Sequence, residues 1–147
     1  MIGIIGAMDE EVEQIVAVMD IKKEETKACM TFKAGILAGK DVVIVRSGIG
    51  KVNAAVCTQI LVDDFGVDYV INTGIAGSLK AEIDIADIVI SSDVLHHDMD
   101  ATGFGYPLGQ IPRMDTLSFK ADDRLIDRKS TRLNSSHANE SRMPSSA

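Results

Sequence analysis

The sequence predicts an α/β protein with a largely parallel or mixed sheet, and three observations carry that prediction. Apolar runs at residues 1–6, 42–46 and 69–72 are too short for helices and too continuous for half-exposed strands. Each run ends in a glycine-containing loop. After the first two loops the periodicity changes to that of helices, which is the pattern of strand–loop–helix units.

Taken in order, residues 1–6 form a central strand and residues 9–19 a helix. Val12, Ile15, Val16 and Met19 lie at i, i+3, i+4 and i+7 on one face of that helix. Asp9, Glu10 and Glu11 fall in its first turn, where the helix dipole favours negative charge. Residues 22–27 read as a polar connector. Two strands follow, at residues 30–37 and 42–46, with Gly39, Lys40 and Asp41 as the hairpin turn between them. The loop Ser47-Gly48-Ile49-Gly50 opens a second helix over residues 51–65, stopped by Gly66. Residues 69–72 make a buried strand that ends in a second glycine loop, Gly74 to Gly77. A further strand is expected over residues 87–97, and residues 101–112 read as an aromatic loop.

From residue 128 the text changes. Residues 1–127 hold 11 basic and 21 acidic side chains, whereas residues 128–147 hold four and one, with six serines and no aromatic residue. Such a segment cannot supply a packed core. The expected organisation is therefore a domain over residues 1–127 and a disordered, non-native tail over residues 128–147.

Composition narrows the function. The chain of 147 residues is 46% hydrophobic and 25% charged, with a net charge of −7. No basic stripe exists to neutralise phosphates, so nucleic acid is not an expected partner, and neither is an anionic membrane surface. No apolar run approaches the ~20 residues a membrane helix needs. The first residues lack a basic n-region, which points to a cytoplasmic protein. Cys29 and Cys57 form no framework, and Cys57 at a helical core position reads as a buried thiol. His96 and His97 are neighbours on an expected strand and would point to opposite faces, so no metal site is predicted.

Two readings of the acidic pair Glu10 and Glu11 stay open at this point. They complement the helix dipole, or one of them enters a cleft at the strand's carboxyl end and accepts a proton from water. Neither glycine loop matches a Walker A or GxGxxG pattern. Together they offer backbone that a flat ligand can approach closely, which suits a nucleobase or ribose. Phe104, Tyr106 and Pro112 form a loop whose apolar side chains fit a lid or, preferably, a subunit contact.

These segments, IGIIGAMDEE at residues 2–11, SGIGK at 47–51, INTGIAG at 71–77 and HDMDATGFGY at 97–106, closely resemble bacterial 5'-methylthioadenosine/S-adenosylhomocysteine nucleosidases. GQIP at 109–112 and FKADD at 119–123 extend the likeness to residues 1–127. The resemblance implies a nucleoside phosphorylase-like three-layer fold with a central mixed sheet, truncated on its C-terminal side, and a homodimer for the full-length parent. It implies hydrolysis of an N-ribosidic bond with release of adenine, without cofactor or metal, on small thioadenosine nucleosides. Glu11 would activate water. Met8 and Ile49 would pack around the ribose and alkylthio group, and Ile75, Ala76 and Gly77 would line the base and sugar slot. Ala101, Phe104 and Pro112 would reach across the dimer to cover the neighbour's alkylthio pocket. Ile75 departs from the serine of some members, a change that contacts through the backbone would survive.

In the family an aspartate in the C-terminal half protonates the leaving purine, and a Glu-Met-Glu segment holds the ribose hydroxyls. Neither motif occurs in this sequence. The resemblance thus implies half a site, and predicts that the 147-residue chain alone releases no adenine. Two rivals accompany it. A purine or uridine phosphorylase would need arginines where this chain has Asp9, Glu10, Glu11 and Asn72, and a non-catalytic domain would bind nucleosides without turnover.

Overall fold

The structure, a computed structural model, describes residues 1–130. The described residues divide into two compact units, residues 1–77 and 78–130.

The first unit is built on a five-stranded mixed sheet. Its elements are β1 (Ile2–Gly6), α1 (Asp9–Ala17), β2 (Asp20–Lys27), β3 (Met30–Leu37), β4 (Lys40–Arg46), α2 (Lys51–Phe65) and β5 (Tyr69–Asn72), with strand order β2-β3-β4-β1-β5. Strands β4, β1 and β5 run parallel, and β3 is antiparallel to both β2 and β4. The connection through α1 crosses the sheet toward β2, whereas that through α2 crosses toward β5. Crossovers of one hand travelling in opposite directions must lie on opposite faces.

The two cores show that they do. Ile5, Phe32, Val43 and Val45 pack with Cys57 and Leu61 of α2, and Phe32 stacks on Phe65 with ring centroids 5.2 Å apart. On the other face Ile4, Val42 and Ile44 pack with Val12 of α1 and with Met19. The continuous apolar run of β4 is thus explained: its side chains alternate between two buried faces. The result is the expected three-layer α/β arrangement.

Several boundaries differ from the expectation. Helix α1 ends at Ala17, two residues early, though Met19 still reaches the core. The polar stretch at residues 22–27 is not a connector but most of strand β2, paired along β3. Lysines and glutamates dominate it because it is the sheet's outer edge, where charge discourages further pairing. The hairpin between β3 and β4 turns at Ala38 and Gly39, both with positive φ (48° and 74°), rather than at residues 39–41. Helix α2 and strand β5 have the expected bounds, but β5 is not buried as expected: at the sheet's other edge among the described residues, its Ile71 and Asn72 are exposed. Gly66 closes α2 in the left-handed conformation (φ 61°, ψ 40°), and Val67 N–H returns to Leu61 O.

In the second unit the strand expected at residues 87–97 reduces to β6 (Asp93–Val94), paired antiparallel with β7 (Phe119–Lys120). Ile88, Val89 and Ile90 are exposed. An apolar run becomes a buried strand only where neighbouring strands take up its backbone groups; residues 87–91 pair with no strand among the described residues, and Ser92 O accepts from Ala121 N–H beside β7. Residues 99–113 form a compact loop with a 3-10 turn at Thr102–Phe104, closed by Gly109 N–H on Met99 O at 2.8 Å. Helix α3 (Asp123–Ser130) ends the described residues and crosses the boundary expected at residue 128; residues 131–147 lie outside them. No helix among the described residues is long and apolar enough to cross a membrane.

Candidate active site

Three parallel strands, β4, β1 and β5, end side by side at one edge of the first unit. Their following loops are tied to the strand ends. Ser47 N–H donates to Gly6 O at 2.8 Å, and Thr73 N–H donates to Ile5 O at 2.9 Å. Strands β1 and β4 are neighbours whose connections leave on opposite faces of the sheet. A crevice opens at such a switch point, beyond the strands' carboxyl ends, and it is where open α/β sheets bind ligands.

Glu11 sits at this place, on the first turn of α1. Its Oε2 accepts hydrogen bonds from Ala7 N–H (2.7 Å) and Met8 N–H (3.0 Å). Its Oε1 accepts from Ile75 N–H at 3.1 Å, so one carboxylate joins the loops after β1 and β5. The bond to Met8 N–H is half of a capping box. The bond to Ile75, 64 residues away, is not a capping interaction. The hydrogen bond from Met8 lowers the Glu11 pKa most; partial burial opposes it, and Ile75 and Ala7 lower it further. A carboxylate has about four lone-pair positions, and three donors leave room for one more, such as a water.

The site depends on Gly74. A Cβ there would lie 2.5 Å from Glu11 Oε1. Sequence reasoning noticed Gly74 only as part of a glycine loop. Glu10 is exposed, and Asp9 pairs with Arg46 at the end of β4 (Nε to Oδ1, 2.9 Å). Of the two readings of the acidic pair, the structure gives the reach into the strand-end loops to Glu11.

Met8 and Ile49 come together around a hollow of about 370 Å³ over the β1 and β4 loops, lined also by Ala7, Asp9, Glu10, Arg46 and Gly48. Ile49 is exposed, and its carbonyl accepts a hydrogen bond from the Asn53 side chain at 2.8 Å. A larger hollow, about 590 Å³, lies between α1 and the faces of β3 and β4; Glu11 lines neither hollow, but Ala7 and Met8, whose N–H groups it accepts, line the smaller one. Ile75 turns its side chain to solvent and uses its backbone N–H on Glu11, while Ala76 and Gly77 continue the same loop, exposed. In the second unit Ala101 is buried and accepts hydrogen bonds from Phe104 and Tyr106 N–H, whereas Phe104 and Pro112 are exposed. Arg46 was missed by sequence reasoning; the available signal was a lone cation ending a run of four apolar residues.

A parallel-strand crevice with a backbone-held carboxylate defines a class. The model of the phosphorylase superfamily matches residues 1–143, and the chain belongs to that superfamily.

Within it, the chain is similar to 5'-methylthioadenosine/S-adenosylhomocysteine nucleosidases. The chain is 52% identical over 125 residues to a 5'-methylthioadenosine/S-adenosylhomocysteine nucleosidase of Marinomonas sp., covering 85% of this chain and 54% of that protein. Among solved structures, the Neisseria meningitidis nucleosidase in complex with methylthio-immucillin-A matches with a TM-score of 0.84 and 41% identity, over 89% of this chain and 57% of that one. The S. pneumoniae nucleosidase with a transition-state inhibitor matches with a TM-score of 0.86 and 40% identity, over 91% and 58%. The chain spans a little over half the length of these relatives.

Proposed function

We propose that this chain carries the water-activating part of a 5'-methylthioadenosine/S-adenosylhomocysteine nucleosidase site. The reaction is hydrolysis of the N-ribosidic bond with release of adenine. One observation carries the reading: the Glu11 carboxylate is held by three backbone N–H groups contributed by the loops after β1 and β5.

Breaking an N-ribosidic bond builds oxocarbenium-like positive charge on the sugar, which a fixed anion stabilises. The same hydrogen bonds that keep Glu11 ionised also weaken it as a base, because proton transfer is most effective when the base's pKa lies near the working pH. Its main contributions are therefore charge stabilisation and orientation of the attacking water. Met8 and Ile49 offer apolar surface to the ribose and alkylthio group. Ile75, Ala76 and Gly77 form the wall of the base and sugar slot, mainly through backbone. Ala101, Phe104 and Pro112 cover the alkylthio pocket of a neighbouring copy in a cytoplasmic homodimer. The exposed Phe104 ring supports that last role, since a large apolar side chain gains by burial against a partner. No cofactor is required.

Water is favoured over phosphate as nucleophile. Among the described residues, Asp9 and Glu10 outnumber Arg46 in the hollow's lining, so its net charge disfavours a free inorganic dianion.

A chimera tests this reading, with residues 1–127 replacing the matching part of the Marinomonas relative. It should release adenine from methylthioadenosine without added phosphate, and Glu11→Gln should lower kcat by roughly 10²–10³-fold, the usual range for losing one group that stabilises charge in the transition state. Turnover that requires phosphate would move the assignment to a phosphorylase.

A further inference from the structure

The hollow lined by Ala7 and Met8, whose N–H groups hold Glu11, carries charged residues at its rim that make no contact in the reaction at the sugar as proposed. Ala7, Met8 and Ile49 make it apolar, while Asp9, Glu10 and Arg46 bring both signs of charge to its rim. Arg46 meets Asp9 through Nε, and its side chain is about half exposed (48%). A guanidinium is a planar fork with five N–H donors, more than the Nε contact to Asp9 uses, so it has the capacity to take a second carboxylate. Glu10 is exposed on the same rim and can accept an ammonium.

The two nucleosides of the proposed reaction differ only beyond sulfur. Methylthioadenosine ends in a methyl group, whereas S-adenosylhomocysteine ends in an α-amino acid that carries a carboxylate and an ammonium. An apolar floor with a charged rim of both signs suits the second. We propose that Arg46, with Asp9 and Glu10, is the subsite for the amino-acid end of the long-tailed thioadenosine, and so sets the preference between the two substrates. The inference rests on the reading given under Proposed function.

Calorimetric titration of the full 147-residue chain with three ligands tests it: methylthioadenosine, S-adenosylhomocysteine and 5'-butylthioadenosine, whose tail is long but uncharged. Arg46→Gln should weaken S-adenosylhomocysteine about fivefold, the upper range for an exposed charge pair, and leave the other two within about twofold. Arg46→Lys should recover part of the loss. In the unsubstituted chain, raised salt should weaken S-adenosylhomocysteine selectively, which keeps the test independent of how the variant folds. Equal weakening of all three ligands, or an unchanged affinity for S-adenosylhomocysteine with no selective salt effect, would overturn the subsite while leaving the nucleosidase reading intact. Tighter methylthioadenosine binding on adding inorganic phosphate, lost in Arg46→Gln, would overturn it by making Arg46 a phosphate contact. Binding of none of the three by the chain, and none by the chimera with the Marinomonas relative, would overturn both.

Discussion

Glu11 has two jobs that pull on one side chain. Through Met8 N–H it caps α1, and through Ile75 N–H it fixes the loop after β5. Because these hydrogen bonds act on the charged form, its folded pKa lies below the ordinary glutamate value of 4.5. A depressed carboxylate stabilises the fold at pH above its unfolded pKa, and that contribution is lost as pH falls through the folded value. The difference in Tm between the chain and Glu11→Gln should therefore be constant near neutrality and shrink below about pH 4.5, where the unfolded-state carboxylate begins to protonate. A difference that grew on acidification would contradict the geometry described.

Gly74 is the matching requirement on the other side. Gly74→Ala would place a Cβ against Glu11 Oε1 and push the carboxylate from its place. In the chimera this should cost about 10²-fold in kcat, since a displacement near 1 Å is enough for that. Native-like kcat would show that the loop simply moves aside. Neither the Glu11–Ile75 hydrogen bond nor the need for glycine at 74 was legible beforehand. Both are contacts across 63 or 64 residues of chain, and no local spacing encodes them.

At the scale of elements, legibility followed hydrophobic periodicity. Strand β5 and helix α2 were read with their observed bounds because the apolar pattern and Gly66 mark them locally. Strand β2 failed for the opposite reason: with a lysine or glutamate at five of its eight positions, it is held in the sheet by backbone pairing with β3 rather than by burial. Residues 87–91 failed in reverse, as apolar text that pairs with no strand among the described residues. Packing on the α2 side gives a direct check. Leu61 is fully buried among Ile5, Phe32 and Val43, so Leu61→Ala should cost about 2–5 kcal/mol by chemical denaturation. A loss below about 1 kcal/mol would mean that α2 does not seal this face of the sheet.

At the scale of the molecule, sheet order turns a run of separate motifs into one site. The strand order β2-β3-β4-β1-β5 sends the two helical crossovers to opposite faces and opens a crevice between the β1 and β4 loops. Met8 and Ile49, 41 residues apart, meet there for that reason. The sequence displayed the strands and the glycine loops, but not which strands are neighbours, because pairing is a property of the folded sheet. The most direct test of the central claim is a crystal structure of the chain with methylthio-immucillin-A. A water is expected within about 2.6–3.2 Å of a Glu11 oxygen and facing the anomeric centre of the bound sugar. A sugar bound elsewhere, with the Glu11 oxygens beyond the reach of one bridging water from that centre, would contradict it.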